Sequence, residues 1–142
     1  MEEPATGAAQ SERIVKTVVL RAPIERVWRA LTDHEEFGSW FRARIDQPFE
    51  VGRTQTGHIT DPGFEHYKWR STVVAMEAPR LFAFRWPHPR DPHAESYEGE
   101  PETLVTFELE EVEGVGEIRA KDIREGLRRL QEINLVDRYL QT

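Results

Sequence analysis

The chain has 142 residues, 38% of them hydrophobic and 32% charged, with a formal net charge of −7 and no cysteine. This fits one globular domain with one core, excludes disulfides and thiol catalysis, and leaves the redox compartment open. The negative balance argues against nucleic acid as a partner, because a general binder needs a basic face to displace counterions from phosphates.

Met1 to Glu12 is rich in Ala, Glu, Gly and Ser and lacks a basic stretch followed by an apolar core. It is read as no signal peptide, with residues 1–11 a disordered tail on a cytoplasmic protein and residues 12–142 a single domain. No apolar run approaches the roughly 20 residues that span a bilayer. Arg13 to Leu20, with Ile14, Val15, Thr17, Val18 and Val19, predicts a strand. Pro23 suits the first turn of a helix. Ile24, Val27, Trp28 and Leu31 then fall at i, i+3, i+4 and i+7 and predict an amphipathic helix. Asp33 to Phe41 predicts a short helix or turn that sets Phe37, Trp40 and Phe41 against the fold. Strands are expected over Ile45–Val51 and Thr54–Thr60, joined at Gly52-Arg53, and Asp61-Pro62-Gly63 is a turn by its chemistry.

The alternation then becomes regular. Tyr67, Trp69, Ser71, Val73 and Ala75 share one face of a strand, and Lys68, Arg70, Thr72, Val74 and Met76 share the other. Leu81 to Trp86 predicts a strand with Phe82, Phe84 and Trp86 on one face. Pro87 to Pro101, with four prolines, predicts a solvated loop. Thr103 to Val112 predicts a strand with Val105, Phe107 and Leu109 on one side. From Arg119 to Leu140, the spacing of Ile123, Leu127, Leu130, Ile133, Val136 and Leu140 predicts a long helix.

The run Arg21-Ala22-Pro23-Ile24-Glu25-Arg26-Val27-Trp28-Arg29-Ala30-Leu31-Thr32, followed by Trp40-Phe41, resembles the start of a helix-grip domain of the START-like / Bet v 1-like (SRPBCC) superfamily. Within it the wording is closest to the heat-shock-protein ATPase activator-like (AHSA-type) family. The resemblance implies an α+β fold, a curved antiparallel sheet wrapped around a long C-terminal helix, with two short helices after the first strand. Two departures stand out. Gly126-Leu127 replaces the family's common Gly-Trp pair, and only Val115 to Ile118 separates the hairpin at Glu113-Gly114 from the helix. Four residues are too few for a last strand of about 5–6 residues plus a connection. Either that strand is lacking, which would leave an unpaired sheet edge, or a stretch is missing from the chain as numbered, and the second reading is preferred. The second reading predicts a break near Val115–Gly116, with consecutive Cα atoms much farther apart than about 3.8 Å.

Between the long C-terminal helix and the concave face of the sheet, the large side chains either fill the space or line a cavity, and a cavity there would suit a small apolar or amphipathic molecule. The candidate lining is Trp40, His58, Trp69, Phe82, Phe84 and Phe107, with Tyr67 and Trp86 nearer the mouth. His58, with Thr56 and Thr60 on its face, would serve a ligand only if that face turns inward. His88 and His93 flank Asp91 in the proline-rich loop, but nothing supplies the remaining ligands of a zinc site, so neither metal nor cofactor is expected. Glu108 and Glu110 read as a solvated sheet surface, and Arg42 and Arg44 as partners for Asp46 or for an anionic headgroup. Three functions follow, in order of preference. The first is a non-enzymatic carrier or sensor, monomeric or homodimeric. The resemblance implies the second, a protein-interaction module of the chaperone-activator type, with the Arg-rich last helix (Arg119, Arg124, Arg128, Arg129) as the feature to test. The third is a cyclase- or hydratase-like enzyme using His58 or His66.

Overall fold

The structure is a computed structural model that describes residues 16–87, 89–112, 115–121 and 138–141. Chain order gives β1 (Lys16–Leu20), α1 (Ile24–Thr32), α2 (His34–Phe41), β2 (Ala43–Ile45), β3 (Thr54–Ile59), β4 (Lys68–Glu77), β5 (Leu81–Pro87), β6 (Glu102–Val112) and β7 (Val115–Lys121). Among the described residues the strands form one antiparallel sheet in the order β1-β7-β6-β5-β4-β3-β2. This is the helix-grip sheet that the sequence leads one to expect, with both short helices between its two edge strands in the chain.

The helices start and stop where local chemistry directs them. The Pro23 carbonyl accepts from Arg26 and Val27 N–H at 2.9 and 3.1 Å, so the proline stands at the mouth of α1 and supplies no orphan donor. Ile24, Val27, Ala30 and Leu31 are buried along one stripe of α1. Asp33 then links the two helices. Its N–H closes α1 on the Arg29 carbonyl, and its Oδ1 accepts from Glu35 and Glu36 N–H at 2.9 and 3.1 Å to cap α2. The chain leaves α2 through Arg42 in a left-handed conformation and turns back closely enough that a Cβ on Gly38 would lie 2.2 Å from the Ala43 carbonyl oxygen.

Three elements differ from the sequence expectation. The strand expected over Ile45–Val51 is cut to Ala43–Ile45. Pro48 offers no N–H to a ladder, and the Gln47 side chain takes the Thr56 N–H at 2.7 Å. Val51 instead makes a lone parallel bridge to Val73. In β4 the alternation holds through Val73, but a register shift between Val73 and Ala75 inserts one residue. That insertion reverses the phase, so Met76, opposite Phe82, packs against the core. The last strand, read as missing, is present. β7 pairs with β6 from Val112↔Val115 to Thr106↔Lys121 and with β1 from Leu20↔Gly116 to Lys16↔Ala120. Val115 and Gly116 are consecutive in that strand, so no break falls between them. β7 includes residues 119–121, which the helical reading had claimed, and this supplies the length that seemed lacking.

Of the long helix expected over Arg119–Leu140, residues 119–121 belong to β7, residues 138–140 are helical, and residues 122–137 lie outside the described residues. Tyr139 and Leu140 pack against the core. The Tyr139 hydroxyl donates to Glu36 Oε1 at 2.8 Å, beside Arg26 Nη1 at 2.7 Å on the same oxygen and Arg29 Nε at 2.9 Å on Oε2. The Arg26 guanidinium also lies 5.6 Å from the centre of the Tyr139 ring. Burial pushes the Glu36 carboxyl up, but the hydrogen bonds from Arg26 and Tyr139 outweigh it and hold the group below the ordinary carboxylate range. The clasp fixes the chain's end to both short helices.

Candidate functional site

The inward phase of the sheet carries Gln55 on β3, Trp69, Ser71 and Val73 on β4, Phe82, Phe84 and Trp86 on β5, and Thr103, Val105, Phe107 and Leu109 on β6, all buried. Alternation puts these side chains on one face, and the ladders bring their rings into contact. Trp69 and Trp86 have ring centres 5.0 Å apart, Phe82 and Phe84 5.5 Å, and Phe84 and Phe107 6.3 Å. α2 covers the middle of this surface with Phe37, 5.6 Å from Trp69 and 6.2 Å from Phe84, and with Phe41, 5.6 Å from Trp86.

Of the eight residues expected to line a ligand site, Trp69, Phe82, Phe84, Trp86 and Phe107 are brought together on this face. Trp40 is buried, but its indole N–H donates to the Ala30 carbonyl at 2.9 Å, which ties α2 to α1. Tyr67 stands half-buried at the start of β4, 6.2 Å from the exposed Phe64 and 4.5 Å from His66. His58 is not with them. It is exposed on the opposite phase of β3, between Arg44 on β2 and Lys68 on β4, while its neighbour Ile59 packs against the core. Its face turns outward because the inward phase of β3 belongs to Gln55.

Two features escaped the sequence reading. Gln55 and Ser71 are fully buried cross-strand partners. Trp69 Nε1 donates to Ser71 Oγ at 2.9 Å, Ser71 Oγ donates to Gln55 Oε1 at 2.8 Å, and Gln55 Nε2 reaches the Pro48 and Arg53 carbonyls. A polar residue at an inward position of an otherwise apolar face was the available signal. Tyr97 was the second, with no periodicity to reveal it. Its buried hydroxyl donates to the Pro92 carbonyl and accepts from Lys68 N–H at 3.2 Å, while Lys68 Nζ donates to the Ala94 carbonyl. Burial pushes the Tyr97 phenol above its ordinary value. The loop read as merely solvated is therefore strapped across the start of β4, and this stacks His93 on His66 with ring centres 4.6 Å apart. His88 lies outside the described residues. Among those described, no three His, Asp or Glu side chains converge as a metal site would require, and no helix is long and apolar enough to cross a membrane.

The family model for activator of Hsp90 ATPase homolog 1-like proteins matches residues 21–136. The chain belongs to that family. Its fold is shared with DynU16, a protein of the dynemicin biosynthetic locus, at 21% identity and a TM-score of 0.71, over 92% of this chain and 48% of that one. The Aha1 dimer from Colwellia psychrerythraea is similar at 22% identity and a TM-score of 0.57, over 79% of this chain and 75% of that one. A different match joins 33 residues, 61% identical, to the DNA integrity scanning protein DisA of Bacillus pumilus. It covers 23% of this chain and only 9% of that protein. Family membership supports a ligand-binding or co-chaperone-like module.

Proposed function

We propose that this protein is a non-enzymatic carrier or sensor that binds one small apolar or amphipathic molecule against the concave face of the sheet. The observation that supports the reading is the joined aromatic cluster of Trp69, Phe82, Phe84, Trp86 and Phe107 on the concave face, covered in its middle by Phe37 and Phe41 of α2 and with no titratable side chain buried among the described residues of that face. Such a surface suits apolar burial with a few polar anchors. Among the described residues that face buries no acid or base, and His58 and His66, the two groups considered for catalysis, are exposed. Native mass spectrometry of the purified protein, followed by denaturation, is expected to release a stoichiometric apolar molecule. A bare mass, with no response of tryptophan fluorescence to added apolar probes, overturns the proposal and turns the reading to a protein-interaction module.

The 33-residue match favours a second reading, a contact with DNA. The stretch whose charge suits such a contact is the one that carries Arg119, Arg124, Arg128 and Arg129. Fluorescence anisotropy of a labelled duplex should then show binding that weakens steeply between 50 and 200 mM salt and disappears when Arg124, Arg128 and Arg129 are changed together to Glu. Absence of binding at 50 mM salt sinks this reading.

A further inference from the structure

Three buried side-chain polar atoms stand without a hydrogen-bond partner among the described residues: Arg70 Nε, Trp86 Nε1 and Thr103 Oγ1. Arg70 is on the outward phase of β4. The other two are neighbours, because Trp86 on β5 and Thr103 on β6 are directly opposed in the ladder and directly opposed residues share a face. Both are more than nine-tenths buried, at 7% and 6% exposure. Buried donors without partners are uncommon and costly. The contrast within the chain is informative, since the indole N–H of Trp40 reaches the Ala30 carbonyl and that of Trp69 reaches Ser71. At Trp86 the fold satisfies the ring and leaves the N–H unanswered.

We propose that Trp86 Nε1 and Thr103 Oγ1 form a polar anchor for a neutral carbonyl oxygen carried on a ring-bearing apolar ligand. This rests on the reading of the concave face as a binding surface. The indole supplies one donor and the hydroxyl a second, which matches the two lone pairs of a single carbonyl oxygen. The rings about Trp86 are Trp69 at 5.0 Å, Phe41 at 5.6 Å and Phe84 at 6.2 Å, so a flat body attached to that carbonyl would meet aromatic edges. A carboxylate is disfavoured. Burying its charge needs a cation, and the ammonium of Lys68, at the same end of the sheet, donates to the Ala94 carbonyl over the Tyr97 ring.

The test compares two probes that differ only in the oxygen, 2-acetylnaphthalene and 2-ethylnaphthalene, titrated into the full chain. Indole ¹H–¹⁵N spectra follow the four tryptophans, with the Trp86 peak assigned by its loss in Trp86→Phe. The ketone is expected to bind about tenfold tighter than the hydrocarbon, the worth of one good net hydrogen bond, and to move the Trp86 indole proton downfield. Thr103→Val, nearly isosteric, and Trp86→Phe are each expected to reduce that preference to within about twofold while hydrocarbon binding persists. Equal affinity of the two probes in the unmodified protein overturns the anchor but keeps the apolar surface, the two atoms then being served by internal water. Failure of both probes to bind overturns the anchor and the binding surface together.

Discussion

Phe37→Ala is expected to cost about 3–5 kcal/mol of folding stability, read as the shift in urea midpoint at constant slope. Phe37 is fully buried on α2 and its ring meets five others: Trp40 at 4.8 Å, Phe41 at 5.2 Å, Phe49 and Trp69 at 5.6 Å, and Phe84 at 6.2 Å. These belong to α2, the segment after β2, β4 and β5, so one side chain holds the helical layer to the middle of the sheet. Its removal forfeits the transfer free energy of a phenyl ring. The neighbours cannot collapse into the space, because Trp40 and Trp69 are fixed through their indole N–H groups. Against the 5–15 kcal/mol typical of natural domains, about a fifth or more of the stability is at stake. Phe37→Leu, which keeps most of the volume, should lose about half as much. A cost under about 1 kcal/mol for the alanine variant would mean that α2 does not sit on the sheet as described.

The first 112 residues were legible where one physical signal dominated. α1 showed both its stripe and its starting proline, and β5 and β6 alternated with large apolar residues on a single phase. Legibility failed where two signals competed or none was strong. In β7, Glu117-Ile118-Arg119-Ala120-Lys121 alternates polar and apolar, but the following helical spacing absorbed Arg119 onward. A short segment fits both periods, and only pairing on both sides, with β1 and with β6, decides for the strand. In β3, Thr54-Gln55-Thr56-Gly57-His58-Ile59 has one apolar residue to mark its phase. The position of His58 was thus a question about which neighbour pairs with which. Gln55 takes the inward place because Ser71 and the Pro48 and Arg53 carbonyls answer its amide, contacts distant in sequence or made by backbone. The aromatic members of the candidate site were readable for the same reason that β5 and β6 were. The polar members, Thr103 and the Gln55–Ser71 pair, become meaningful only once their partners, or the lack of them, are known.

Gly57 gives the second large effect, at the edge of the sheet and not at its centre. It faces Ile45 on β2 and Trp69 on β4. A Cβ there would lie 1.8 Å from the Arg44 carbonyl oxygen, 2.9 Å from its carbon and 3.1 Å from Ile45 Cα. All three are backbone atoms, so no rotamer change relieves the clash, and β2 must move by more than an ångström. The pairs Ala43↔Ile59, Arg44↔His58 and Ile45↔Gly57 would be lost together, and with them the flanking bonds from Asp46 N–H to the Thr56 carbonyl and from Thr60 N–H to the Arg42 carbonyl. Gly57→Ala is therefore expected to destabilise by about 3 kcal/mol, the upper part of the range for overpacking. Amide exchange should speed up at Asp46 and Thr60 before it does along β5 and β6. The locality of that response separates it from Phe37→Ala, which loosens both layers. β2 also buries Ala43 and Ile45 beside Phe41, which touches Trp86, so an edge that swings out should weaken apolar probe binding without removing the preference for a carbonyl. Uniform loss of protection across the whole sheet would instead show that three short pairs and one glycine hold more of the fold than the ladder between β4, β5 and β6.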